Sequence, residues 1–88
     1  MKRSVKIVNK LGLHARAAAQ LVQVASGYAA DLMLEKDGQR VNGKSIMGVM
    51  MLAAAQGDSV EIEGEGDDAG ALLDAVEALV AARFNEEK

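Results

Sequence analysis

We predict a two-layer α/β sandwich, an α+β arrangement in which a four-stranded antiparallel sheet carries three helices on one face. Four short segments alternate polar and apolar residues, as half-buried strands do, and an Asp-Gly pair separates two of them. Apolar stripes at helical spacing would cover one face of the sheet and leave the other solvated, in the order β-α-β-β-α-β-α. Because 88 residues hold one modest core, we expect a single domain over residues 1–88.

The chain begins with a predicted strand that leads through a short loop into a helix. Residues 4–9 are rich in β-branched side chains and roughly alternate in polarity. Apolar residues recur at helical spacing from Ala15 to about Ser26, and the following Gly27 is typical of a helix end. His14 therefore lies at or beside the N-cap of the first helix.

The middle of the chain predicts a hairpin followed by a short helix. Segments 31–36 and 39–42 have strand character and flank Asp37-Gly38, a strong signal for a two-residue turn. Ser45 then supplies a good N-cap for a second helix, which we expect to run from residue 46 to about residue 53.

The last third of the chain predicts one strand and one long helix. Residues 59–63 alternate as the fourth strand, with the glutamates on its solvated face. Asp67 or Asp68 is expected to cap the third helix, whose apolar stripe extends as far as Phe84. We expect the acidic tail, residues 86–88, to be frayed.

The composition excludes several kinds of partner. The net charge is -3, the pI is near 5.0 and only 2% of residues are aromatic, which argues against binding nucleic acid. With no cysteine and one histidine, we expect neither a disulfide framework nor a metal site, and no cofactor. No segment resembles a signal peptide or a membrane span, so we expect a cytoplasmic protein. We also expect a monomer.

The single histidine has the setting that a phosphoryl acceptor needs. A helix start presents unpaired backbone amides and partial positive charge, which together bind anions. The amides of Ala15, Arg16 and Ala17, with the Arg16 guanidinium, would hold phosphate oxygens next to the His14 imidazole. From position alone, His14 is also compatible with an ordinary surface or core histidine.

Two sequence segments resemble one protein family. Residues 9–16, Asn-Lys-Leu-Gly-Leu-His-Ala-Arg, closely resemble the active-site signature of HPr, the histidine-containing phosphocarrier of bacterial phosphotransferase systems. Residues 42–50 resemble the regulatory-serine segment of the same family. The resemblance extends over essentially the whole chain, including the order of elements and the separation of the two segments.

This resemblance implies a relay function. In the family, a phosphoryl group passes from phosphoenolpyruvate to Enzyme I, then to the carrier histidine, and then to a IIA protein or domain. Carried over, His14 would be the acceptor through its Nδ1 atom, and Arg16 would orient the phosphoryl oxygens. The protein would then be a phosphoryl carrier with a phosphohistidine intermediate, and not a classical turnover enzyme.

The sequence also departs from the family pattern. The family usually has proline directly after the arginine, where this chain has Ala17. Alanine keeps the helix and restores one amide donor near the site, so we expect activity to persist with a retuned transfer rate. Many members of the sugar branch carry lysines where this chain has Gln20, Gln23 and Ser26, so attraction to acidic partners should be weaker.

Ser45 and the methionines of the second helix each have two interpretations. Ser45 is either only a helix cap or also a site for regulatory phosphorylation by HPr kinase/phosphorylase. The methionines of so short a helix cannot all point inward, and their flexible side chains suit a surface that contacts several partners. By resemblance, Ile46, Met47 and Met50 belong to a docking patch beside the histidine.

Three alternatives to a sugar-branch or general carrier remain open. The first is a regulatory phosphocarrier of the nitrogen-related branch, of NPr type. The second is a non-catalytic regulatory module of Crh type, against which the pair His14 and Arg16 argues. The third is a plain α/β interaction domain with an incidental histidine. Phosphorylation with Enzyme I and phosphoenolpyruvate separates the carrier from the last two.

Overall fold

A computed structural model describes residues 1–86 and contains four strands, three α-helices and one short 3-10 turn. The elements, in chain order, are β1 (Lys2–Lys6), α1 (Ala15–Ser26), β2 (Asp31–Lys36), β3 (Gln39–Asn42), α2 (Ile46–Met51), β4 (Ser59–Glu65), α3 (Ala69–Ala81) and the C-terminal turn (Arg83–Asn85). This order, with its antiparallel sheet and three helices, confirms the predicted sandwich.

The four strands form one antiparallel sheet in the order β1-β4-β2-β3. Strands β2 and β3 are joined by Asp37 and Gly38, whose φ angles of 52° and 81° are the positive values that a two-residue hairpin turn requires. The hairpin is therefore confirmed with its predicted bounds. The first and last strands of the sequence, β1 and β4, are neighbours in the sheet.

The core lies between the sheet and the helices and is built from aliphatic side chains. Alternation along β4 turns Val60 and Ile62 inward, while the intervening glutamates lie on the outer face. From the helices, Leu21 of α1 and Leu72 and Leu73 of α3 are buried against them. The amphipathic patterns of the sequence therefore correspond to the inner faces of the elements.

Strand β1 lies further towards the N-terminus than predicted. It was expected over residues 4–9 but runs over Lys2–Lys6, because its ladder ends where Lys6 faces Ser59, the first residue of β4. Its beginning is held by Arg3, which bonds Asp74 and Glu77 of α3 at 2.6 Å each. Long-range partners that local patterning does not reveal therefore set the bounds of this strand.

Strand β4 and the later helices also differ from the prediction at their ends. Strand β4 continues to Glu65, because Asp31 and Met33 of β2 pair with its last residues. Helix α2 ends at Met51, two residues early, and the left-handed φ of 51° at Ala53 turns the chain away. Helix α3 ends at Ala81, so Phe84 is buried from the C-terminal turn and not from the helix.

Asp68 has the N-cap position of α3 but does not cap the helix with its side chain. Its carboxylate instead accepts hydrogen bonds from the amides of Ala29 and Ala30, at 2.9 and 2.8 Å, in the loop before β2. These bonds lower the pKa of Asp68 below its ordinary value, against the opposing effect of burial. The prediction that the Asp68 side chain caps α3 is therefore wrong. The side chain instead links the start of α3 to the loop before β2.

Among the helices of residues 1–86, none has the length and apolar character needed to cross a membrane.

Candidate functional site

His14 lies at the N-cap of α1, as predicted. Its backbone is extended, with φ -77° and ψ 178°, and its carbonyl oxygen accepts the first helical hydrogen bond, from the Ala18 amide at 2.8 Å. The imidazole makes no capping hydrogen bond to the helix amides, and 30% of the side chain is exposed. The ring is therefore free of a capping role and accessible from solvent.

The loop before His14 is held against the segment that follows α2. The Leu13 amide donates to the Ala54 carbonyl oxygen at 2.9 Å. Gly12 has a φ of 67°, and a Cβ at this position would lie 2.5 Å from the same oxygen. Only glycine combines this left-handed backbone with so close an approach, so Gly12 allows the contact that positions His14.

The buried side chain of Asn9 supports this loop through hydrogen bonds. It is 0% exposed, and its side-chain amide donates to the Gly12 carbonyl oxygen at 2.8 Å and to Glu86 Oε2 at 3.1 Å. Its Oδ1 atom is buried without a hydrogen-bond partner within residues 1–86. Asn9 therefore links the histidine loop to the C-terminal end of the chain.

Glu86 lies in the site, and the expectation of a frayed tail is wrong for this residue. Its Oε1 atom accepts a hydrogen bond from the Leu11 amide at 3.2 Å, and its Oε2 atom lies 3.5 Å from His14 Nε2. Only 9% of the side chain is exposed. No local signal in the sequence marks this contact, since Asn9 and Glu86 are 77 positions apart. The other tail residues, 87 and 88, lie outside the described part of the chain.

The Glu86 carboxylate is stabilised in its ionised form. Burial removes water from it and by itself would raise its pKa. Hydrogen bonds from the Asn9 side chain and from the backbone amides of Leu11 and Lys10, with a smaller contribution from His14, outweigh burial and lower the pKa. A negative charge therefore faces the imidazole at neutral pH.

The first turn of α1 presents free donors beside the imidazole. The amides of Ala15, Arg16 and Ala17 precede the first helical hydrogen bond, which begins at Ala18. Arg16 is exposed, and none of the ion pairs within residues 1–86 uses its guanidinium. Ala17 is 0% exposed and packs its methyl group into the core. The anion-binding amides predicted for this turn are therefore accessible only at the exposed residues Ala15 and Arg16, and the enclosed amide of Ala17 is not open to an anion in this structure.

Ser45 forms the helix cap that the sequence predicts. Its backbone is extended, and its Oγ atom accepts a hydrogen bond from the Gly48 amide at 3.1 Å. The residue is half-buried.

Most apolar side chains of α2 face solvent. Ile46, Met47, Met50 and Met51 are 43%, 73%, 40% and 64% exposed, whereas Val49 is fully buried. A core role for the methionines is therefore excluded, and α2 packs beside α1, whose first residue follows His14. These four residues give α2 an exposed apolar surface of the kind that marks interaction sites.

Comparison with known proteins identifies the family. Residues 1–82 match the PTS-HPr family, described as "PTS HPr component phosphorylation site". The chain is 48% identical over 86 residues to phosphocarrier protein HPr of Cupriavidus necator, covering 98% of this chain and 97% of that protein. It is 42% identical over 86 residues to phosphocarrier protein NPr of Shewanella violacea, covering 98% and 94%.

A solved structure agrees with this assignment over the whole chain. HPr-C-His from Thermoanaerobacter tengcongensis superimposes with a TM-score of 0.95 at 43% identity, covering 100% of this chain and 99% of that one. The open-faced sandwich is thus the HPr fold. The chain belongs to the HPr/NPr family of phosphocarrier proteins of the phosphotransferase system.

Proposed function

We propose that this chain accepts a phosphoryl group on His14 from phospho-Enzyme I and passes it to a IIA protein or domain. The observation that carries the proposal is the accessible imidazole at the start of α1, next to three amides without helical acceptors. A single domain acting as a monomer in the cytoplasm, where phosphoenolpyruvate is produced, suits such a relay. No cofactor is needed for the transfer.

The chemistry is one displacement at phosphorus in each direction. A lone pair on an imidazole nitrogen of His14 forms the N–P bond while the bond from the donor to phosphorus breaks, and its electron pair leaves with the donor. The reverse displacement by the next carrier returns the electron pair to the ring. An exposed ring suits both steps, since each partner must reach the same phosphorus atom.

The Arg16 guanidinium and the amides of the exposed residues Ala15 and Arg16 would bind the phosphoryl oxygens. Charge-assisted hydrogen bonds to phosphate are stronger than neutral ones, and the helix dipole favours negative charge at this end. Because Arg16 has no ion pair within residues 1–86, no competing partner in that part of the chain must be displaced.

Ile46, Met47 and Met50 would form the docking patch for Enzyme I and IIA partners. Their exposure and the packing of α2 beside α1 support this role. Methionine side chains adapt to differently shaped partners, which a relay protein requires. Phosphorylation of Ser45 by an HPr kinase/phosphorylase would add a dianion at the start of the same helix and alter docking.

A nitrogen-branch role is the second candidate, because an NPr protein is 42% identical to this chain. A general or sugar-branch role is favoured slightly, since the HPr of Cupriavidus necator is 48% identical. The two roles can be distinguished by offering a limiting amount of this carrier to the Enzyme I proteins of both branches and measuring which of them phosphorylates it faster.

The test is incubation with Enzyme I and phosphoenolpyruvate, followed by intact mass spectrometry. We expect wild type to gain one acid-labile phosphoryl group and His14→Ala to gain none. Lys10→Ala, an exposed change in the same loop, serves as the control and should label like wild type. A Crh-type module or an incidental histidine predicts no labelling of wild type, and normal labelling of His14→Ala would place the acceptor elsewhere.

A further inference from the structure

The Glu86 carboxylate meets the imidazole of His14 on one side only. Oε2 lies 3.5 Å from Nε2, whereas the other ring nitrogen, Nδ1, makes no capping bond to α1. An ionised carboxylate only accepts hydrogen bonds, so it favours the tautomer that carries its proton on the facing nitrogen. The distance exceeds that of a hydrogen bond, so the contact is electrostatic at this separation.

We propose that Glu86 is a positioning residue that holds the neutral His14 ring as the Nε2–H tautomer, leaving the Nδ1 lone pair to receive the phosphoryl group. This inference rests on the proposed phosphocarrier function. In the transfer the Nδ1–P bond forms and the donor's bond to phosphorus breaks, while the Nε2 proton stays in place opposite Glu86. No proton has to move at Nε2 in either direction.

Two sets of contacts hold Glu86 in this position. The Asn9 side chain donates to Oε2 at 3.1 Å, and the Leu11 amide donates to Oε1 at 3.2 Å. Asn9 also donates to Gly12, so the same buried amide organises both the histidine loop and the carboxylate. The carboxylate is therefore oriented by the loop that it faces, as expected for a group that orients a histidine.

The backbone before Glu86 supports the same conclusion. Arg83, Phe84 and Asn85 have φ angles of 59°, 53° and 58°, a left-handed conformation that side-chain-bearing residues adopt at an energetic cost. Such a conformation persists only where surrounding contacts impose it. Burial of Phe84, which is 2% exposed, and the bonds of Glu86 are those contacts, and together they direct the carboxylate to His14.

The first experiment measures the tautomer directly. Because His14 is the only histidine in the chain, its ring ¹⁵N chemical shifts can be assigned without ambiguity. The spectra are recorded at a pH above which the ring ¹⁵N shifts no longer change, so that they report on the neutral ring. We expect wild type to have a larger Nε2–H share than a histidine reference compound in the same buffer. An equal share would overturn the proposal without any variant being needed.

Glu86→Gln tests the charge, with Glu65→Gln as the matched control on an exposed residue at the far end of β4. We expect Glu86→Gln to raise the Nδ1–H share about twofold to fivefold, since a single partly exposed charge contact is modest. Glu65→Gln should match wild type. If Glu86 only tethers the C-terminal turn, Glu86→Gln lowers the melting temperature but leaves the tautomer ratio unchanged, which would overturn the proposal.

Kinetics with Enzyme I provide the second measurement. We expect Glu86→Gln to lower kcat for phosphoryl acceptance by the same factor as the measured Nε2–H share falls, because only that tautomer presents the Nδ1 lone pair. KM should be unchanged, because the Glu86 side chain is almost fully buried and offers little surface to a partner. A change in KM alone would instead identify Glu86 as part of the docking surface. If wild type itself gains no phosphoryl group, the proposed function fails, and the tautomer measurement still reports on Glu86 separately.

Discussion

The Leu13 amide donates a hydrogen bond to the Ala54 carbonyl oxygen at 2.9 Å, which joins the residue before His14 to the segment after α2. The imidazole and the apolar surface of α2 are therefore parts of one connected unit. Gly12 makes this connection possible, because any side chain at position 12 would collide with Ala54.

We expect Gly12→Ala to lower the free energy of unfolding by about 1–3 kcal/mol, because it adds a collision to an unfavourable φ of 67°. Gly38→Ala is the matched control, since Gly38 also has a positive φ, 81°, but a Cβ at this position would have no atom within 4 Å. Urea unfolding measures both. Equal losses would mean that backbone conformation alone, and not the Ala54 contact, determines the need for glycine at position 12.

We expect Arg16→Ala to slow phosphoryl transfer and leave the fold intact. A charge-assisted hydrogen bond contributes about 1.5–3 kcal/mol, which corresponds to a decrease of roughly tenfold or more in rate. Arg16 is exposed and has no ion pair within residues 1–86, so melting should be unaffected. Rapid-quench measurements of the transfer rate test this prediction, with Lys6→Ala, an exposed change on β1, as the control. If Arg16→Ala transfers as fast as Lys6→Ala, Arg16 does not contribute to the phosphoryl site.

Met47→Glu should weaken binding to Enzyme I sharply, because it places a charge where an apolar surface loses water on docking. Met47 is 73% exposed, so the folded protein should tolerate the change. Titration calorimetry measures the affinity, with Ser4→Glu on the exposed face of β1 as the control. Unchanged affinity in folded Met47→Glu would show that the partner binds elsewhere.

Two substitutions at Ser45 separate its capping role from a regulatory one. Ser45→Ala removes the 3.1 Å bond to Gly48 and should cost about 0.5–2 kcal/mol of stability. Ser45→Asp preserves a cap and suits the helix dipole, so it should not melt the domain. If Ser45 is regulatory, Ser45→Asp should impair labelling of His14 by Enzyme I. Normal labelling, together with no labelling of Ser45 by an HPr kinase, would leave only the cap.

Asp68 should make the stability of the protein depend on pH. Its pKa is lowered in the folded state, so its contribution is present above the unfolded pKa of about 3.9 and is lost as pH falls through the lower folded value. We therefore expect Asp68→Asn to melt below wild type at pH 7 and the gap to narrow at pH 3. Asp67→Asn is the adjacent control. A gap of equal size at both pH values would contradict the role of the ionised carboxylate.

Local signals in the sequence were sufficient for the elements nearest the site. Helix α1 begins at Ala15 and ends at Ser26, and the strands of the hairpin have their predicted bounds, because glycines, turn residues and apolar spacing act over a few neighbouring positions. His14 at the N-cap and Ser45 as a cap follow from the same short-range chemistry. The two family-like segments also lie within such local stretches.

Only the tertiary structure decided the contacts that join distant parts of the chain. Asp68 was expected to cap α3. In the folded protein its carboxylate instead accepts hydrogen bonds from the amides of Ala29 and Ala30, which lie in a loop distant in sequence. Glu86 was expected in a frayed tail, yet folding brings it to Asn9 and His14. Local patterning determined the elements and the acceptor's position, whereas the partners of polar side chains depend on packing between residues far apart in sequence, which no local pattern encodes.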